Sequence, residues 1–166
     1  TEIVSGLITA EEPIELTPEG SSYYHVVISA GVASVTVEVT GAAWAVDGTL
    51  DDKGLHFLGS VTPVYFHVPE QTAAFHLSLQ ANPPGETAVA TLYAPDGRRA
   101  AQFDCSSLPV DRRKVAVPDG NHGWWKLQVS HAQTGALDDV WVKPGDELKG
   151  YFSLNPAQAL DIEVAR

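Results

Sequence analysis

Residues 122–131 read HGWWKLQVSH. In an extended chain, successive side chains point to opposite faces. Trp125, Leu127 and Val129 then share an apolar face, and Trp124, Lys126, Gln128 and Ser130 share a polar one. A tryptophan set among an amine, an amide and a hydroxyl has a defined chemistry. Its ring offers a flat apolar surface to C–H groups, and its neighbours offer donors and acceptors to hydroxyls. DDVWVK (138–143) repeats the arrangement, with Val140 and Val142 inward and Trp141 on the outer side with Asp139 and Lys143. PVYFHVP (63–69) turns Val64, Phe66 and Val68 inward and leaves Tyr65 and His67 outside. Trp124, Trp141 and Tyr65, with Lys126, Gln128 and Asp139 as hydrogen-bonding partners, are therefore the candidate platform for a sugar ring. Trp44, set among alanines in GAAWAVDG, reads as core.

Other chemistries find less support. No G-x-S-x-G elbow precedes a helix, and neither a phosphate loop nor a dinucleotide fingerprint occurs. Cys105, the single cysteine, stands in DCSSLP without a histidine nearby and can form no intrachain disulfide. His25, His67 and His76 fall on polar strand faces, but none lies at a recognised ligand spacing such as H-x-H or H-E-x-x-H. A solvated face explains them. Calcium needs six or more oxygens. Asp51 and Asp52 in DGTLDDKG, and Asp138 and Asp139 in ALDDVWV, each offer a carboxylate pair, the candidate ligands of a structural calcium. Turn chemistry accounts for the same residues, since Asp and Gly favour turns. No cofactor is required by any of these patterns.

The elements that must hold these residues are strands. YYHVVIS (23–29), SVTVEVT (34–40), PVYFHVP (63–69) and AFHLSLQ (74–80) alternate, and ETAVATLYAPDGR (86–98) runs into a Pro-Asp-Gly turn. RKVAVPDGNHG (113–123) repeats that turn before the tryptophan pair, and DDVWV, GYFSL and LDIEV complete the chain. Period-2 runs between Gly, Pro and Asp turns are the signature of an antiparallel sandwich. The only helical signal is one turn after Asn155-Pro156, because Pro fits the first helical position. No linker of useful length interrupts the strands, so residues 1–166 read as one domain.

The chain has 166 residues, enough for a sizeable core, and 44 % of them are hydrophobic. Its net charge of −11 disfavours nucleic acid and anionic membranes as partners, since both need clustered Lys and Arg. It also disfavours a strongly anionic polysaccharide, and leaves a neutral sugar open. No apolar run is long enough for a membrane helix. The absence of Met, even at position 1, is what a mature or excised piece of a longer polypeptide would show.

Three short motifs carry a resemblance: Tyr65 to Pro69 (aromatic-x-V-P), the alternating Phe75 to Leu79, and Leu92 to Gly97 (L-Y-x-P-D-G). Residues 63–142 resemble β-sandwich accessory domains of secreted bacterial polysaccharide-degrading enzymes, and are similar to pre-peptidase C-terminal domains. The resemblance implies a jelly-roll-like all-β antiparallel sandwich and an extracellular or periplasmic location. It also implies a non-catalytic, carbohydrate-binding role. The expected partners are a neutral polysaccharide or oligosaccharide and the neighbouring domains of a parent enzyme. The alternative expectation is a spacer that packs on a catalytic domain and has no ligand of its own.

Overall fold

The structure is a computed structural model and describes residues 6, 13–17, 23–32, 34–59 and 62–160. The chain divides into two units, Thr1–Glu38 and Val39–Arg166. The second carries every strand found among the described residues: β1 (Val46–Asp47), β2 (Leu55–Phe57), β3 (Val64–Val68), β4 (Ala74–Gln80), β5 (Val89–Tyr93), β6 (Arg99–Asp104), β7 (Val110–Ala116), β8 (Gly123–Ser130), β9 (Val140–Pro144) and β10 (Tyr151–Phe152).

Two four-stranded sheets have the orders β2-β9-β4-β7 and β3-β8-β5-β6, and every ladder is antiparallel. Counting from β2, these are the interleaved 1-8-3-6 and 2-7-4-5 orders of a jelly roll, an all-β sandwich as the alternation predicts. Only β5 and β6 form a hairpin within one sheet; every other step from β2 to β9 crosses between sheets.

The core forms where the inward halves of the alternating strands meet. Phe66, Val68, Phe75, Leu77, Leu79, Leu92, Trp125, Leu127 and Val129 are all buried. Phe75 of one sheet meets two aromatic rings of the other edge-on. Phe66 lies at 5.7 Å and 82°, and Trp125 at 5.2 Å and 89°. Such pairs add about 0.5–1.5 kcal/mol beyond the area they bury. The indole Nε1 of Trp125 donates to the Asn121 carbonyl at 2.8 Å, which fixes the loop before β8.

Edges are handled by charge and by pairing. On the edge strand β7, Asp111 and Arg113 alternate with the outward residues. They pair with each other at 2.8 Å, and the Arg113 guanidinium lies 5.8 Å from the Phe103 ring. Inward-pointing charges of this kind discourage further strands from adding. At the β3 edge, Tyr65 and Ser153 exchange backbone hydrogen bonds of 2.8 and 2.7 Å. The helical turn expected after Asn155-Pro156 is a 3₁₀ turn, Pro156–Gln158, whose Asn155 side chain accepts from the Ala157 amide.

The N-terminal expectations need correction. Residues 23–29 and 34–40 form no strand among the described residues. Alternation alone does not make a strand, because an isolated hairpin must still bury its apolar face. Here Val26, Val35 and Val37 remain exposed. Trp44, read as core, is half-buried and bridges to Ala159. The strand expected over 160–164 lies outside the described residues except for Leu160.

Candidate functional site

The outer face of the β3-β8-β5-β6 sheet collects four of the six residues read as a sugar platform. Burial alternates along β8, so Trp125, Leu127 and Val129 are buried while Trp124, Lys126 and Gln128 are half-buried on the other side. A slip of one residue would drive Lys126 and Gln128 into the core. The packing of Trp125 therefore enforces the display of Trp124.

Register sets what stands beside each residue. Trp124 lies opposite His67 on β3, and the two rings meet at 5.3 Å and 62°. Lys126 lies between Tyr65 on β3 and Tyr93 on β5. Its ammonium sits 4.2 Å from the Tyr93 ring centroid, a cation–π contact. Gln128 lies opposite Thr91, which in turn faces Gln102 on β6. Ser130 lies opposite Val89, and Val89 faces Asp104. Directly opposed side chains of an antiparallel pair stand about 4.5–5.5 Å apart. Aromatic rings thus occupy one end of this face, amides and hydroxyls its middle, and a carboxylate its far end. Tyr93 and Thr91 were not singled out from sequence. The signal was present in VATLY, where buried Leu92 puts both neighbours outward.

Trp141 and Asp139 belong elsewhere. β9 lies in the other sheet, so their outer face points away from Trp124. Nor is Trp141 open: it is 8 % exposed, against the outward platform expected of it. His56, its register partner on β2, stacks on the indole at 4.6 Å and 4°, and the Lys53 ammonium lies 4.1 Å from the ring. Asp139 holds His56 Nε2 at 2.9 Å, and the Lys143 ammonium donates to the Asp52 carbonyl at 2.6 Å. The roof is fixed by Gly54, whose φ of +101° and contact with the β9 backbone admit no side chain.

Of the four aspartates considered for calcium, three use their carboxylates in local hydrogen bonds, and Asp52 accepts from Lys143 through its backbone carbonyl. Asp51 Oδ1 accepts from the Lys53 amide, Asp138 Oδ1 from the Asp139 amide, and Asp139 from His56. Among the described residues, no three His, Cys, Asp or Glu side chains gather to hold a metal. Cys105 is fully buried, its Sγ–H donates to the Leu79 carbonyl at 3.2 Å, and burial pushes its thiol pKa up.

A concavity lies at the far end of this face from the aromatic rings. A depression of about 470 Å³ opens at the Ser130 end, with Gln102, Asp104 and Ser130 as floor and His131, Gln133 and Thr134 as wall. The wall is held from below by Thr87, whose buried hydroxyl donates to the Thr134 carbonyl and whose amide donates to Ala136 at 2.8 Å. A Cβ on Gly135 (φ +82°) would meet that hydroxyl at 2.5 Å. Comparison with protein-family profiles, with curated proteins and with solved structures finds no match for the chain.

Proposed function

We propose that this chain is a non-catalytic carbohydrate-binding module that holds a neutral polysaccharide or oligosaccharide on the outer face of its β3-β8-β5-β6 sheet. The observation that carries the reading is the register that sets Trp124, Tyr65 and Tyr93 around Lys126, with Gln128 and Thr91 beside them. Rings on a β-face meet the C–H side of a pyranose, while the amine, amide and hydroxyl take its hydroxyl groups. Trp141 and Asp139 take no part in this site. Affinity is expected near 10⁻⁴ M, about −5 kcal/mol, because a few stacking contacts on an open face compete with bound water and ordering.

The test is affinity electrophoresis and tryptophan fluorescence against soluble polysaccharides. Wild-type protein should be retarded by at least one neutral glycan. Trp124→Ala should bind it more than tenfold more weakly, with an unchanged melting temperature. Unchanged binding by that variant would reject the face.

A spacer role, packing on a neighbouring catalytic domain, is the second reading. It draws on the exposed apolar side chains of Val26, Val27, Val32, Val35 and Val37. It gains if no glycan in a broad panel shifts the protein.

A further inference from the structure

Resting on the glycan reading above, we propose that the polar depression beside Ser130 is a second subsite, and that the ligand is an uncharged chain of about four sugars lying along β8. Three observations carry this. The first is length. Trp124 and Ser130 are six residues apart on one strand, about 20 Å at the rise of a strand and room for about four hexose rings.

The second is continuity. The rows Trp124–His67, Tyr65–Lys126–Tyr93, Gln128–Thr91–Gln102 and Ser130–Val89–Asp104 follow one another without a break, and the last two supply the floor of the depression. The third is chemistry and rigidity. Two amide residues, three hydroxyl residues, an imidazole and a carboxylate line it, a donor and acceptor set suited to several hydroxyl groups at once. The wall that carries Gln133 is fixed by Thr87 rather than left to order on binding.

Charge selects among sugars. Among the described residues, Asp104 is the one acidic residue lining the depression, and no Lys or Arg lines it. Its carboxyl pKa is lowered, first by hydrogen bonds from Ser106, so it is ionised at neutral pH. Arg99 on the same sheet is engaged with Gln102 Oε1, and Lys126 with the Tyr93 ring. A uronate or sulfated sugar would meet a carboxylate in the depression and a net charge of −11 on the chain. A neutral sugar meets hydrogen-bonding groups with no opposing charge of its own.

The experiment measures affinity by calorimetry for two to six units of neutral gluco-, xylo- and manno-oligosaccharides, with oligogalacturonates as the charged comparison. Wild-type affinity should rise at least tenfold from two units to four and then level off. A variant carrying Gln102→Ala and Gln133→Ala changes two exposed side chains and should fold normally. It should lose that gain while binding two units as the wild type does. Equal affinity for all lengths, or a double variant indistinguishable from wild type while Trp124→Ala abolishes binding, overturns the second subsite and leaves the aromatic face standing. Tighter binding of oligogalacturonates overturns the charge assignment. Failure of every oligosaccharide to bind overturns the subsite together with the reading it rests on.

Discussion

Replacing Trp125 with Phe tests the link between the core and the displayed face. Trp125 is fully buried, packs edge-on against Phe75 at 5.2 Å, and donates its Nε1–H to the Asn121 carbonyl at 2.8 Å. Phenylalanine keeps a ring but removes roughly 40 Å³, which at about 24 cal/mol per Å³ of residual cavity costs about 1 kcal/mol. It also leaves the Asn121 carbonyl without its indole partner, a further cost of about 1–3 kcal/mol. The sum, about 2–4 kcal/mol, corresponds to a fall in melting temperature of roughly 5–15 °C for a domain of this size. Urea unfolding followed by far-ultraviolet circular dichroism gives the number directly. The midpoint should move and the slope should not. Trp125→Ala should cost more, about 4–8 kcal/mol, a large share of the stability of an ordinary domain. A loss below about 1 kcal/mol for Trp125→Phe would mean that neither the packing nor the hydrogen bond is as described. The assignment of faces along β8 would fall with it.

Further outcomes follow from other sites. Gly54→Ala places a Cβ against the Val142 carbonyl and the Lys143 backbone at a positive φ, and should cost about 2–4 kcal/mol by thermal melting. Gly97→Ala, in open space at φ +81°, should cost no more than about half as much, and equal losses would refute the close approach to β9. The Glu147 carboxyl is lowered from 4.5 to about 2, first by its own backbone amide and then by His76. A lowered carboxyl stabilises the fold fully above its unfolded pKa and loses that contribution as pH falls. Glu147→Gln should therefore flatten the fall of melting temperature between pH 4.5 and 2, and an unaltered slope there would count against the contact. The Cys105 thiol, buried and raised in pKa, should react with a disulfide reagent at pH 8 only at the rate of unfolding. Stoichiometric reaction within minutes in native buffer would contradict its burial.

How much of this was legible in the sequence depends on the range over which each feature is decided. The alternation of Phe75, Leu77 and Leu79, or of Trp125, Leu127 and Val129, is a property of neighbours along the chain, and the inward faces follow from it. Which strands stand side by side is not local. β8 lies between β3 and β5, while β9 lies between β2 and β4, so two tryptophans displayed by the same rule point away from each other. The roof over Trp141 is equally remote, since His56 and Asp139 meet across 83 residues. The depression depends on Thr87 reaching Thr134 across 47 residues. Residues 23–29 and 34–40, which form no strand among the described residues, show the converse, that a correct period needs a partner layer before it becomes a strand.

Separating the two tryptophan faces strengthens the case for one of them. Trp141 is closed by an imidazole stacked on it and an ammonium over its ring, which is how a fold disposes of an aromatic it needs for stability. Trp124 meets the His67 ring at its edge, and stands on the sheet that also carries Tyr65, Tyr93 and the depression. Because the period of a strand is two, the core cannot keep Trp125, Leu127 and Val129 buried without presenting Trp124, Lys126 and Gln128 on the other side. Display of these three is therefore a consequence of the core, while their chemistry is independent of it. Exposed positions on a sheet accept threonine, lysine or glutamate at little cost in stability. A large ring at Trp124, one register row from the Tyr65–Lys126–Tyr93 row, is a choice that packing does not require. Binding is the property that such a choice can alter, and for this reason binding and melting should part company in Trp124→Ala while falling together in Trp125→Ala.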